Sequence, residues 1–266
     1  MRTGFCLLAI AGLASSGCLT ARAARSDWRR VVLVELFTSE GCSSCPAADA
    51  FVRELPALGF GRDKVVPLTF HVDYWDRLGW KDRFGGPDFT ARQEWYARST
   101  KLRSPDGEAG LQGLYTPQLV IDGEVHLSGR RRQEAIREIE RAGAQPSLFD
   151  LKPVVTIRGS VMEVTIEAVA RPNVKNARAW RVVVALALRS ARTPVSHGEN
   201  AGETLEEAAI ARVLSDRVTL PARPGDKAHV SLTKPADVAW SDLDVVVFAQ
   251  SEATGAVGAA VQLRAE

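Results

Sequence analysis

Two cysteines separated by two residues, Cys42-Ser43-Ser44-Cys45, with Pro46 directly after them, constrain this chain more than any other feature. They follow an apolar run, Val31-Val32-Leu33-Val34-Glu35-Leu36, which only Glu35 interrupts, and a short polar turn, Thr38-Ser39-Glu40-Gly41. After them, Ala48, Phe51, Val52 and Leu55 recur at helical spacing. Strand, turn, C-x-x-C and helix, in that order, is how a redox dithiol is built. The first thiol then stands at a helix N-terminus, where unpaired N–H groups and the helix dipole favour the thiolate. The second is close enough to attack a mixed disulfide formed by the first. On this reading Cys42 is the nucleophile and the more exposed sulfur, and Cys45 resolves. A structural disulfide and half of a zinc site are the competing readings. A zinc site needs two further Cys or His ligands at matching spacing, and none stands nearby in the sequence.

The start of the chain reads as an export signal spanning residues 1–23. Arg2 is the positive start, Phe5 to Ala14 is a signal-length apolar stretch too short to span a bilayer, and Ala21-Arg22-Ala23 is an A-x-A cleavage site. Ser15-Ser16-Gly17-Cys18 offers a second reading, a lipoprotein box with Cys18 as the anchor. Cleavage after Ala23 removes Cys6 and Cys18 and leaves Cys42 and Cys45 in a compartment where disulfides persist, the periplasm or the exterior. Of 34 basic and 32 acidic residues the cleavage removes Arg2 and Arg22, so the mature chain is neutral. That balance speaks against a nucleic-acid or anionic-membrane partner. No later apolar run reaches the length of a membrane span. The basic run Arg130-Arg131-Arg132 reads as a solvated first helical turn.

Composition changes near Gln145-Pro146-Ser147, dividing the mature chain into 28–145 and 147–266. In the first part, strand-like runs alternate with helical ones. Val65 to Val72 is a strand, Phe89 to Leu102 a helix capped by Asp88, and Leu119-Val120-Ile121 and Glu124-Val125-His126-Leu127 a hairpin about Asp122-Gly123. Arg131 to Arg141 closes it as a helix. The order β-α-β-α-β-β-α is that of a thioredoxin fold. In the second part, short β-rich runs follow one another without clear crossover helices, and Leu205 to Leu214 is ambiguous between helix and strand. The expected fold class is therefore an α/β thioredoxin-like domain followed by an all-β antiparallel sandwich-like domain.

Several residues gather around the dithiol on this plan. Thr116-Pro117 precedes the hairpin strand, where a cis-proline packs against the disulfide in thioredoxin-like proteins and its neighbour offers backbone to a substrate. Glu35, in a strand seven residues before Cys42, is a candidate proton acceptor for Cys45 if burial raises its pKa. The alternative is a strand-edge carboxylate that reaches water. His71, Asp73 and Trp75 end the second strand, at the sheet end where ligand-facing residues collect. They line a substrate site, or His71 and Asp73 serve as a structural histidine and a helix cap. Two glycines and an asparagine make His197-Gly198-Glu199-Asn200-Ala201-Gly202 a turn.

Leu36 to Pro46, Phe70-His71-Val72-Asp73-Tyr74-Trp75-Asp76 with Leu78-Gly79-Trp80, Phe89-Thr90-Ala91-Arg92-Gln93, Tyr115-Thr116-Pro117-Gln118 and Gly198-Glu199-Asn200-Ala201-Gly202 together resemble the secreted bacterial family catalogued as domain of unknown function 1223. The resemblance implies export and a thioredoxin-like fold, and gives the Gly198–Gly202 turn a role beyond turning the chain. The functional expectation is an exported thiol–disulfide oxidoreductase acting on thiol- or disulfide-containing exported proteins. It needs no cofactor or metal, and the sequence does not set its direction. The alternatives are a metal-binding or metal-delivery protein using Cys42, Cys45 and His71, and a non-catalytic interaction module with a structural disulfide.

Overall fold

The apolar run before the cysteines forms β1 (Val32–Thr38) in a computed structural model that describes residues 1, 28–98, 102–106, 113–172, 174, 176–221 and 225–265. The expected export segment, its Ala21-Arg22-Ala23 cleavage site and Cys18 lie outside the described residues. β1 pairs in parallel with β2 (Val65–His71) and antiparallel with β3 (Gln118–Ile121), which turns into β4 (Val125–Ser128). Every residue of β1 is buried, because helices cover both of its faces. Val32, Val34 and Leu36 pack with Phe51 and Val52 of α1 (Pro46–Glu54) and with Ala135 and Ile139 of α3 (Arg132–Gly143). Leu33 and Phe37 point the other way, to Phe89 and Tyr96 of α2 (Pro87–Ala97). Asp88 falls inside the first turn of α2, one residue past Pro87; the N-cap is Gly86.

The second half contributes β5 (Phe149–Arg158), β6 (Val161–Ala170), β7 (Trp180–Pro194), β8 (Thr204–Leu214), β9 (Val218–Thr219), β10 (Lys227–Thr233), β11 (Leu243–Ser251) and β12 (Val257–Arg264). The ambiguous segment is thus a strand, β8. These strands overturn the expected fold class. One nine-stranded mixed sheet runs β12-β11-β7-β8-β2-β1-β3-β4, with β9 alongside β7, so strands from both halves share it. Among the described residues 42% are strand and 20% helix, a mostly β protein rather than a helix-flanked thioredoxin domain joined to a separate sandwich.

The reason lies in two runs that bury both faces. Val182–Ala187 of β7 and the whole of β11 are buried. One side, with Val182, Val184, Leu186, Val245 and Val247, is covered by the three-stranded sheet β10-β6-β5, whose alternating inward residues include Met162, Val164, Ile166, Val230 and Leu232. The other side, with Val183, Ala185, Val246 and Phe248, enters the same core as Leu33, Phe37, Phe70 and Tyr96. Strands of a free-standing sandwich alternate apolar and polar residues. Continuous apolar strands need cover on both sides, and here the first half of the chain supplies it.

Two junctions join the halves. Thr69 of β2 pairs in parallel with Ile210 of β8, and its hydroxyl donates to the carbonyl of Ala208 at 2.8 Å. The β3–β4 turn docks on the start of β12, where the Val257 N–H donates to the Asp122 carbonyl at 2.7 Å. Gly123 is required there twice over: its φ is +62°, and a Cβ would sit 1.9 Å from the Gly255 carbonyl oxygen.

Candidate functional site

β1 ends at Thr38, and the turn Ser39–Gly41 carries the chain to Cys42. Cys45 is the N-cap of α1, with Pro46 at the first helical position, where its missing N–H costs nothing. Cys42 and Cys45 form a disulfide with Cα atoms 5.4 Å apart. The Thr116–Pro117 peptide bond is cis. The Thr116 hydroxyl donates to the Cys42 sulfur at 3.3 Å and accepts from the Trp75 indole N–H at 2.8 Å. Pro117 and Ala48 of α1 close together over Gly129, where a Cβ would lie 2.6 Å from the Ala48 methyl and 3.0 Å from the proline ring. Contrary to the sequence expectation, Cys42 is no more exposed than Cys45: both have 0% of their surface exposed.

Part of that closure comes from the far half of the chain. The loop between β7 and β8 lies over the cysteine turn. The Asn200 side-chain amide donates to the carbonyls of Glu40 at 2.8 Å and Cys42 at 3.1 Å. The Glu199 carboxylate accepts from the Ser43 N–H at 3.1 Å and its hydroxyl at 2.7 Å. Gly198 packs against Trp80, whose indole N–H donates to the buried Glu40 carboxylate at 2.8 Å. Beside this contact a cleft of about 430 Å³ is lined by Ser43, Pro46, Asp49, Arg53, Asn200 and Leu205, among others.

Beneath the disulfide lies a buried polar cluster. His71 is fully buried, with Nδ1 2.7 Å from Asp82 and Nε2 3.6 Å from Glu207 of β8. Asp49, one turn after Cys45, accepts from the Thr38 hydroxyl at 3.2 Å, and its N–H donates to the Cys45 carbonyl at 3.1 Å. Burial pushes the Asp49 carboxyl up to about 7, with His71 and Thr38 opposing it only in part. Burial also lifts Glu207 to about 8 against the attraction of His71. Burial alone would lower His71, but Asp82 first, then Glu207 and Asp49, outweigh it and raise the imidazole to about 9. For Asp82 burial is outweighed by His71 and by the N–H groups of Glu40 and Phe84, which hold it below the usual carboxylate range. The cluster therefore sets an imidazole and one carboxylate, each held toward its charged form, beside two carboxyls held toward their neutral forms.

The structure brings Cys42, Cys45, Thr116, Pro117 and Trp75 together. It sends the other sequence candidates elsewhere. Glu35 lies on the α2 side of β1, opposite α1. Its carboxylate is fully buried and accepts from the Arg92 guanidinium and the Tyr96 hydroxyl, on the face of β1 away from α1. Asp73 is tied to α2, accepting from the Thr90 hydroxyl at 2.6 Å, and does not share a site with His71. His71 is fully buried inside the cluster. The sequence reading passed over Asp49 and Glu207, and took Asn200 only as part of a turn. Asp49 carried a legible signal: it stands four residues after Cys45 and three before Val52, an acid on the buried stripe of α1. Glu207 carried one only once β8 is a strand, since it shares the inward face with Leu205.

Among the described residues no three His, Cys, Asp or Glu side chains are grouped so as to hold a metal ion, and no helix is long and apolar enough to cross a membrane.

A family model described as protein of unknown function (DUF1223) matches residues 33–250. No curated protein matches the chain. Among solved structures, protein AGR_C_4864 from Agrobacterium tumefaciens is similar at 26% identity over 90% of this chain and 96% of that one, with a TM-score of 0.63. A domain of the outer membrane lipoprotein Omp28 from Porphyromonas gingivalis overlaps 44% of this chain and 88% of its own at 10% identity, with a TM-score of 0.29.

Proposed function

We propose that this chain, which belongs to the DUF1223 family, is an exported thiol–disulfide oxidoreductase that exchanges its Cys42–Cys45 disulfide with thiols of other exported proteins. The observation that carries the reading is the Cys42–Cys45 pair itself: it opens a helix, a hydroxyl donates to the Cys42 sulfur, and the N–H of the buried Asp49 donates to the Cys45 carbonyl. A structural staple needs none of these. A bridge across so short a loop also stabilises a fold little, because closing it removes little entropy from the unfolded chain.

In the oxidising direction a substrate thiolate attacks the Cys42 sulfur, the Cys42–Cys45 bond breaks, and Cys45 leaves as a thiolate. A second substrate thiolate then attacks the substrate sulfur of the mixed disulfide and releases Cys42. Two substrate thiols become a disulfide, and the protein gains two electrons and two protons. Thr116 stabilises the departing Cys42 thiolate by its hydroxyl hydrogen bond. Asp49, whose carboxyl burial pushes up to about 7 and whose N–H bonds the Cys45 carbonyl, is on this reading the group that gives Cys45 its proton and takes it back. Trp75 and Pro117 border the approach to Cys42, and the signal-like residues 1–23 support export to a compartment where disulfides persist.

Replacing Cys45 with Ala leaves Cys42 able to attack but unable to be released from its partner. The exported C45A protein is expected to accumulate covalent adducts on a non-reducing gel, and the double Cys42→Ala, Cys45→Ala variant none. Adducts absent from C45A, with a large loss of thermal stability in the double variant, would mark the disulfide as structural.

A further inference from the structure

We propose that Glu199 sets the redox poise of the dithiol, making the reduced form less stable than the cysteine turn alone would leave it. This rests on the oxidoreductase reading above. In the reduced protein a Cys42 thiolate looks for hydrogen bonds to the free N–H groups that begin α1. Ser43, next to Cys42 in the turn that leads into α1, carries another donor, and the Glu199 carboxylate already accepts from both its N–H and its hydroxyl. The same carboxylate puts a negative charge one residue from the place where the thiolate charge appears. Loss of a donor and repulsion between like charges act in one direction: both disfavour the thiolate and leave the disulfide as the favoured state.

The contact is built rather than accidental. Asn200 fixes the next residue to the carbonyls of Glu40 and Cys42, and is itself buried. Gly198, at φ +79°, lets the loop lie against Trp80, where a Cβ would come 3.0 Å from the tryptophan Cβ. Glu199 is exposed, and its two bonds from Ser43 hold its carboxyl below the usual range, so it stays charged across the pH range of thiol exchange. It touches neither sulfur and is a positioning residue, acting on Cys42 through Ser43.

The test is equilibration of the full-length exported protein with glutathione. Each reduction of the Cys42–Cys45 bond consumes two glutathione thiols and releases one glutathione disulfide. The Glu199→Gln variant, isosteric and at an exposed position, is expected to shift this equilibrium toward the dithiol by about threefold at low salt, the ratio that half a pK unit represents. Its Cys42 is expected to alkylate faster at pH 6 by a similar factor. In 1 M salt the difference shrinks, since an exposed charge is screened there, and Glu199→Asp stays close to wild type. An unshifted E199Q, or a shift that salt leaves unchanged and that E199D shares, overturns the role of Glu199 while wild-type exchange stands. A wild-type disulfide that never equilibrates with glutathione overturns the oxidoreductase reading, and this inference with it.

Discussion

Changing Glu35 to Gln separates the charge that holds the fold from the chemistry at the cysteines. Glu35 has no exposed surface, and its two carboxylate oxygens take the Arg92 Nε–H and the Tyr96 hydroxyl. Arg92 is itself 3% exposed, donates to Gln250 at 3.3 Å, and lies over the rings of Phe70, Tyr96 and Phe248 at 5.2–5.4 Å. An amide in place of the carboxylate keeps the shape but strands the guanidinium charge in the core. Breaking a buried pair by removing one partner costs about 3–5 kcal/mol. The ring contacts of Arg92 are the same in both proteins and cancel, so the expected loss is about 3–5 kcal/mol, a large share of an ordinary domain's stability. Urea unfolding of the oxidised protein at pH 7 measures it. Exchange with glutathione, followed on the same samples, is expected to stay within about twofold of wild type, because Glu35 faces α2 and the cysteines open α1 on the other side of β1. The double variant Glu35→Gln, Arg92→Met removes both charges and is expected to regain much of the loss. A Glu35→Gln protein that is less than 1 kcal/mol weaker, yet exchanges tenfold more slowly, would return Glu35 to the proton-transfer role and refute the placement of that role at Asp49.

Two further predictions concern the buried cluster. If Asp49 accepts the Cys45 proton as proposed, Asp49→Asn is expected to abolish the rise with pH, centred near 7, in the rate at which oxidised glutathione reoxidises the reduced protein; an unchanged profile would remove Asp49 from the mechanism. Glu207 rises from 4.5 to about 8 on folding, so between those pH values the folded protein keeps a proton that the unfolded chain has released, and this group's share of stability falls by about 1.4 kcal/mol per pH unit, on top of falls of the same sign from Asp49 and His71. Glu207→Gln removes that slope. Because His71 then loses one of its carboxylate neighbours, the net gain in urea unfolding at pH 8 is expected to be about 2–4 kcal/mol, vanishing near pH 4; a wild-type slope in the variant would show that Glu207 is not the group that titrates.

Short-range chemistry was legible in the sequence, and long-range partnership was not. The Asp-Gly hairpin, the disulfide and the helix that it opens all follow from residues within a few positions of one another, where φ preferences and periodicity act. Glu35 misled for the opposite reason. An acid inside an apolar strand announces burial, but which face it occupies and who neutralises it depend on Arg92, 57 residues away. His71 has the same ambiguity, since its partners Asp82 and Glu207 come from a loop and from a strand of the other half. The fold class failed where the second half was read as self-sufficient. Val182 to Leu188 is apolar at every position. A sandwich strand facing water on one side has no use for that pattern, and the run records a second covering layer that local reading assigns to nothing.

That fused sheet also explains how residues so distant in sequence serve one turn. Glu199 and Asn200 act on the cysteine turn through hydrogen bonds of 2.7–3.1 Å, and Glu207 faces His71 at 3.6 Å. A pair of domains joined by a linker at residue 146 would rock against each other, and a shift of one ångström breaks bonds of that length. Here β8 is bonded to β2 at Thr69 and Ile210, and the β3–β4 turn is bonded to β12 through Asp122 and Val257. The loop above the disulfide is therefore carried on a strand of the same sheet that ends at the disulfide. Cys42 is fully buried, and the loop is bonded to its carbonyl through Asn200 and to the residue after it through Glu199. The fused sheet is what keeps these bonds in place between residues 156 to 160 positions apart.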